Sequence, residues 1–220
     1  MKNINNPDIS VIIPTYNHEK FIGRALRSIL DQSINKNRYE VIIVNDCSND
    51  NSKEIISKFD SDIIYLENSK NEGLPFSLNI GIKKARGKYM VRMDSDDYVN
   101  KKFLESLYDF LNWNEEIDAV SCDYLIVDDN EKVLKREDSS LNPIGCGIMF
   151  KMDKIAEIGL YNPDFLLHED KELMLRFKKK NKLYNLKLPL YRYRKHSTNI
   201  TNNVDDSIKF FKKLTSDEKK

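Results

Sequence analysis

The chain has 220 residues, 40% hydrophobic and 32% charged, which suits one soluble globular domain with a sizeable core. Thirty-six basic against 35 acidic residues leave a formal charge of +1, so the global field expected of a nucleic-acid binder is excluded. Cys47, Cys122 and Cys146 have no CxxC spacing, which argues against a disulfide framework or zinc knuckle and fits a reduced cytoplasm.

The start, "MKNINNPDIS", lacks the apolar centre of a secretory signal, and no apolar run reaches membrane-spanning length. "ISVIIP" then reads as a buried strand. In "HEKFIGRALRSIL", Phe21, Ile22, Ala25, Leu26, Ile29 and Leu30 form one helical face. "YEVIIVND" is a second strand, followed by a short helix opened by Asn51 with Glu54 three residues on, the spacing of a capping box. "DIIYLEN" is a third strand. "LPFSLNIGIKKARG" is a helix with Pro75 near its first position and Gly87 past its end, and "KYMVRMD" is a fourth strand. Helix-length connections between apolar strands imply parallel pairing with right-handed crossovers, hence an α/β sheet.

The second half is less regular. "KKFLESLYDFL" predicts a helix, "IDAVSCDYLIV" a strand, "DDNEKV" a turn, "GCGIMF" a strand and "HEDKELMLRFKKK" a helix. "KLYNLKLPLYRYRK" predicts strand pieces before the polar "HSTNITNN", and "TSDEKK" a frayed tail. No repeat or linker divides the chain, which is read as one domain.

Ligands of parallel α/β sheets bind beyond the carboxyl ends of the strands. That rule gathers "PTYN", "NDCSND" and "DSDD" at one edge, because each follows a predicted strand. The acidic "DSDD" suits either a turn capping the helix that starts near Asn100 or a site for a hard cation held by carboxylate oxygens. Asp46 in "VNDCSND" fits an Asx turn or an acceptor for a base or ribose donor group. "HED", at a helix start, is explained by the helix dipole or by a general base, and Glu169 and Asp170 point roughly 100° apart there. "YRYRKHSTNIT" reads as a solvated strand with a structural His196, "RFKKKNK" as an exposed helix end, and the cysteines as small apolar fillers.

Taken together, "VIIPTYNHEKFIGRALRSILDQS", "EVIIVNDCSND", "KNEGLPFSLNIGIKKARGKYMVRMDSDD", "GLYNPDFLLHEDKELMLRF" and "YRYRKHSTNIT" resemble the family-2 nucleotide-sugar glycosyltransferases of the GT-A fold. They occur in the family's order over residues 8 to 203. The resemblance implies a Rossmann-like nucleotide-sugar half over 8–100, with a mainly parallel mixed sheet flanked by helices. An acceptor and catalytic-base half would follow over 101–203, with a polar tail over 204–220. It implies that Pro14, Thr15 and Tyr16 sit against the nucleotide base and that Asp46 accepts from its ring N–H. Asn71 would lie beside the nucleotide and Asp94, with Ser95, would meet the ribose or metal shell. Asp96 would bind the Mn²⁺ or Mg²⁺ that holds the diphosphate, His196 would complete the metal shell, and its segment would close over the diphosphate. Asp170 would be the base of an inverting transfer, with Glu169 beside it. Three positions depart from the family pattern: Leu78 stands where many relatives have Arg, and Asn45 and Cys47 where others have Asp and Gly.

The implied activity is metal-dependent transfer from a nucleotide sugar, UDP-linked by preference. The acceptor would be a saccharide or lipid-linked saccharide of surface polysaccharide or glycolipid assembly, with the enzyme peripheral to the cytoplasmic membrane face. A catalytically inactive domain that binds sugar nucleotides or a partner is the alternative, and the intact Asp94, Asp96 and Asp170 disfavour it. A sugar-phosphate nucleotidyltransferase would need a Gly-rich phosphate loop after the first strand, and "PTYNHEKF" has no glycine.

Overall fold

The computed structural model describes residues 6–197 and 199, so the expected 204–220 tail and the end of "HSTNITNN" lie outside the described residues. The first hundred residues form β1 (Ile9–Thr15), α1 (Ile22–Leu30), β2 (Tyr39–Asn45), α2 (Ser52–Ser57), β3 (Ile64–Glu67), α3 (Leu74–Lys84), β4 (Tyr89–Arg92) and β5 (Tyr98–Val99). Strands β1 and β2 are buried at every residue because helices cover both faces of the sheet, which is why they read as unbroken apolar runs. Side-chain alternation divides β1 between two cores. Ile9, Val11 and Ile13 join the cluster under α1 and α2, whereas Ile12 joins Leu78 and Ile82 of α3 on the other face.

The remainder adds α4 (Phe103–Trp113), β6 (Ala119–Val127), β7 (Val133–Glu137), β8 (Ile148–Lys151), α5 (Met152–Ile158), α6 (Glu169–Lys178) and β9 (Leu183–Arg194). One nine-stranded sheet results, in the order β3-β2-β1-β4-β8-β6-β9-β5, with β7 paired to β6. Its β3-β2-β1-β4 part is parallel, β8 is antiparallel to both β4 and β6, and β9 runs parallel to β6. Helix α4 packs on the α1 face, and α5 and α6 on the α3 face. The carboxyl ends of β1, β2 and β4 therefore open on one edge, between α3 and the start of α6.

Several local expectations are corrected. Helix α1 starts at Ile22, because the chain from His18 to Phe21 turns first. The Asn51–Glu54 capping box does not form. Asp50 instead accepts from the backbone N–H groups of Ser52 and Glu19, both at 2.9 Å, and Glu19 accepts from the backbone N–H of Asn51 at 2.9 Å. The acids of "DSDD" cap no helix, since β5 intervenes and Lys102 is the N-cap residue of α4. "KLYNLKLPLYRYRK" is one strand whose register against β6 shifts at Asp123. Its end is not solvated: Tyr191 and Arg194 are buried. Leu78, where relatives often have Arg, is a core residue and not part of the cleft described below.

At the opposite edge of the sheet, a buried polar knot joins β1, β2 and the approach to β4. Glu40 accepts from Ser10 Oγ at 2.7 Å and from Arg86 Nη2 at 2.6 Å, and the Gly87 N–H donates to Ser10 Oγ at 2.9 Å. A Cβ on residue 87 would lie 2.6 Å from Ser10 N and 2.7 Å from the Ile9 carbonyl carbon, backbone atoms that cannot rotate away. Gly87→Ala is expected to destabilise the fold by about 1–3 kcal/mol. The urea midpoint should fall with an unchanged slope. An unmoved midpoint would contradict this packing.

Candidate active site

The edge at the carboxyl ends of β1, β2 and β4 holds a cleft of about 660 Å³. Its lining brings together Pro14, Thr15, Tyr16, Asp46, Asn71, Asp94, Ser95, Asp96, Glu169 and Asp170. These come from five separate loops and helix starts. His196 is outside the lining but touches it, with Nε2 3.0 Å from Asp96 Oδ2. Every site residue expected from the sequence is thus at or beside one cleft.

At one end lie Pro14, Thr15 and Tyr16, with Tyr16 exposed. The Thr15 hydroxyl is the one buried side-chain polar atom among the described residues with no hydrogen-bond partner. Leaving such an atom unpaired costs about 1–3 kcal/mol, which a ligand group or water would recover. Asp46 is buried and already employed. Its carboxylate accepts from Asn68 Nδ2 at 2.7 Å and from the backbone N–H groups of Glu72 and Gly73 at 2.9 and 2.8 Å. It therefore fixes the loop that carries Asn71 and starts α3.

The acidic turn after β4 rests on β9. Tyr191 Oη accepts from Asp94 N at 3.0 Å and donates to Asp97 Oδ2 at 2.8 Å, while Arg194 N donates to Asp97 Oδ1 at 2.7 Å. Burial, reinforced by the neighbouring Asp96 and Asp94, pushes the Asp97 carboxyl well above the usual range. Asp97 is thus a structural prop under the turn. Burial also opposes ionisation of Asp96, but the hydrogen bond from His196 and the nearby His18 hold its carboxyl below the usual range. His18 also pairs with Ser95, Nδ1 to Oγ at 2.6 Å.

The other acids meet at Arg92, the last residue of β4. Its guanidinium is buried and donates from Nε to Asp94 Oδ1 at 2.7 Å, from Nη2 to Asp94 Oδ2 at 3.2 Å, and from Nη1 to Glu169 Oε1 at 2.8 Å. Burial disfavours that charge, yet Asp94 and Glu169 outweigh it and raise the Arg92 pKa. Glu169 is pushed up to about 7, chiefly by burial and also by Asp170, against the pull of Arg92. Asp170 is half-buried and lines the cleft, and its carboxylate makes no side-chain hydrogen bond to a described residue. Adjacent acids on one helix therefore line the cleft differently: Glu169 is bound to Arg92, whereas Asp170 makes no side-chain hydrogen bond to a described residue.

Two groupings could hold a cation. Asp96 and His196 present an oxygen and a nitrogen 3.0 Å apart. Neighbouring ligands of a small octahedral ion with bonds near 2.1 Å stand about 3.0 Å apart, so this pair has the required spacing. Asp94, Asp97 and Cys146 also offer ligand atoms within 4.8 Å of one another. There, however, Asp94 is clamped by Arg92, Asp97 is occupied by Tyr191 and Arg194, and burial pushes the Cys146 thiol well up. A protonated thiol is also a poor match for a hard ion.

Sequence reasoning missed Arg92, Tyr191, Arg194 and His18, and it read Asp97 only as part of the acidic cluster and not as a prop. A local signal existed for Arg92 alone, a charged residue inside the apolar run "KYMVRMD".

A mixed sheet with a carboxylate-rich cleft beyond its parallel strands is the arrangement of the GT-A glycosyltransferases. Two solved structures share it. Staphylococcus aureus TarS (residues 1–349) in complex with UDP-GlcNAc matches with a TM-score of 0.79 at 22% identity, over 90% of this chain and 61% of that one. The mannosyltransferase PcManGT from Pyrobaculum calidifontis, in complex with GDP-Man and Mn²⁺, matches with 0.77 at 17% identity, over 97% and 64%. The family model "Glycosyl transferase family 2" matches residues 10–193, and the chain belongs to that family. Among relatives, an uncharacterized glycosyltransferase of Rickettsia prowazekii is 29% identical over 243 residues, 99% of this chain and 76% of the relative. The S. aureus poly(ribitol-phosphate) beta-N-acetylglucosaminyltransferase TarS is 39% identical over 108 residues, 47% of this chain but 18% of that enzyme. No helix among the described residues is long and apolar enough to cross a membrane.

The position of Glu169 sets a pH dependence. Its carboxyl is raised from 4.5 to about 7 in the fold, so its contribution to stability is present in full below pH 4.5 and is lost as pH rises through 7. Relative to Glu169→Gln, the wild type should lose stability across that window, read from urea midpoints between about pH 4 and 8. A wild-type advantage that grows with pH would show the ionised carboxylate to be the stabilised form.

Proposed function

We propose that the protein transfers a sugar, with inversion, from a nucleotide-sugar donor to an acceptor hydroxyl, with Asp170 as the general base. The contrast between adjacent acids of the cleft carries this reading: Glu169 is tied to Arg92, whereas Asp170 makes no side-chain hydrogen bond to a described residue. A base must be able to reach its proton and be unencumbered when it does so. Residues 8–100 then form the donor half and 101–203 the acceptor and base half.

The donor lies along the strand ends. Thr15 and Tyr16 meet the base, and the unpaired Thr15 hydroxyl offers it one hydrogen bond. Asp46 contributes through the loop it anchors, which sets Asn71 beside the nucleotide, and it retains acceptor capacity toward a ring N–H. Asp94 and Ser95 flank the ribose and diphosphate. A uracil base is favoured by the family pattern at these positions and by the UDP-GlcNAc complex of the related fold.

Among the described residues, Arg92 and Lys171 supply the only Arg and Lys in the cleft lining, against Asp46, Asp94, Asp96, Glu169 and Asp170. A diphosphate cannot enter such a field without added positive charge. Asp96 and His196 have the spacing to hold Mn²⁺ or Mg²⁺, which would neutralise the charge growing on the leaving diphosphate. Asp170, at the start of α6, then accepts the proton of the attacking hydroxyl from the face opposite the leaving group. The acceptor class is a polyol or saccharide of surface polymer or glycolipid assembly, consistent with the poly(ribitol-phosphate) enzyme among its relatives.

The test is a panel of nucleotide sugars assayed with Mn²⁺ for transfer, beside calorimetry of UDP binding. Asp170→Asn should keep UDP affinity and lose about 10²- to 10⁴-fold in transfer rate. Near-normal transfer by Asp170→Asn would remove the base from this residue.

A further inference from the structure

We propose that Arg92 is the positioning residue of the transfer reaction, holding Glu169 away from the acceptor so that Asp170 alone is left to take its proton. The inference rests on Asp170 being the base, and it assigns Arg92 a task that neither donor nor metal binding requires.

The geometry is specific to a guanidinium. Arg92 follows Met90 and Val91 in a strand buried at every residue, so its charge lies inside the protein. Such a charge is tolerable only with good partners, and Arg92 has carboxylates on two sides. Nε and Nη2 grip Asp94 in a fork, and Nη1 reaches Glu169, 77 residues further along the chain. Tyr161 also interacts with Arg92 and lies near both Glu169 and Asp170. One side chain therefore joins the donor-side turn after β4 to the first residue of α6. A lysine could not reproduce this, because one ammonium cannot make the forked contact and the second bridge together.

Gly145 closes the assembly. A Cβ at that position would fall 2.6 Å from Asp170 Cβ and 2.9 Å from Arg92 Nη1. The backbone of the 143–147 segment is thus pressed against both residues, and the Arg92 carbonyl accepts from Gly147 N at 3.1 Å. The Asp170 side chain is packed at its Cβ and Cγ by this segment, and its carboxylate makes no side-chain hydrogen bond to a described residue. Without the guanidinium, Asp94, Glu169 and Asp170 would crowd the same space with no compensating charge. Freed from Arg92, Glu169 holds its proton more firmly, and at alkaline pH, where it ionises, its carboxylate would compete with Asp170 for its position and for the acceptor's proton.

The experiment compares Arg92→Met, Arg92→Lys and the double variant Arg92→Met/Glu169→Gln. Transfer kinetics and UDP–Mn²⁺ calorimetry are run at a temperature where circular dichroism shows each protein folded. Arg92→Met should lower kcat about a hundredfold with acceptor KM within about threefold, while UDP affinity falls by less than about tenfold because Arg92 also holds Asp94 on the donor side. Arg92→Lys should lose at least about tenfold in kcat, and it carries the same readings if Arg92→Met does not fold. At alkaline pH, where Glu169 is ionised, adding Glu169→Gln should restore kcat about tenfold over Arg92→Met, because the orphaned carboxylate is gone. A folded Arg92 variant with near-normal kcat would overturn the proposal. So would loss of UDP affinity in step with kcat, or a double variant no faster than Arg92→Met at alkaline pH. Failure of the base reading itself shows separately, as normal transfer by Asp170→Asn with Arg92 intact.

Discussion

The cleft is governed by charge confined to a small space. Arg92 is buried among acids of two distant segments, and no other arginine among the described residues lines the cleft. Removing a charge from water costs several kcal/mol even after relaxation, so the arrangement survives only because each partner is placed to compensate another. Asp94 and Glu169 receive the guanidinium, Asp96 receives His196, and Asp97 retreats beneath the turn with its proton affinity raised. What remains unbalanced is the open edge of the cleft, where a metal and a diphosphate would complete the count.

The second half of the chain supplies the floor for the first. Strand β9 props the acidic turn through Tyr191 and Arg194. Arg194 also donates to the carbonyls of Asp96, Asp128 and Asp129 at 3.0, 3.3 and 3.2 Å and pairs with Glu131 at 3.3 Å. The turn between β6 and β7 is thereby joined to the turn that carries Asp96. Phe21 stacks on His196 with ring centres 4.7 Å apart, so the start of α1 shapes the same corner. Rigid elements on three sides keep the Asp96–His196 pair together, as a small octahedral ion requires.

Much of this was legible in the sequence, and the boundary has a physical cause. Strands covered on both faces become continuous apolar runs, so β1, β2 and β4 and their edge of polar loops could be read directly. The motif positions from Pro14 to His196 gather at or beside one cleft. The exposed edge strand β7 and the two-residue β5 have no burial period to read, and both were missed. "YRYR" resembled a solvated strand because its contacts, Tyr191 to Asp97 and Arg194 to Asp96, cross nearly a hundred residues and leave no local pattern. The Asn51–Glu54 spacing suggested a cap, but Glu19 takes the Asn51 N–H that Glu54 would have received, and Asp50 bonds the Ser52 N–H beside it. Arg92 was visible as an anomaly within an apolar strand, and only the fold shows which acids it serves.

In the proposed reaction, a divalent ion held by Asp96 and His196 would meet the uncompensated charge of the cleft. Anomalous diffraction at the manganese edge, from crystals grown with UDP and Mn²⁺, tests it directly. A single peak about 2 Å from Asp96 Oδ2 and His196 Nε2, next to an ordered diphosphate, is the expected result. A peak among Asp94, Asp97 and Cys146, or ordered UDP without any manganese signal, would contradict it.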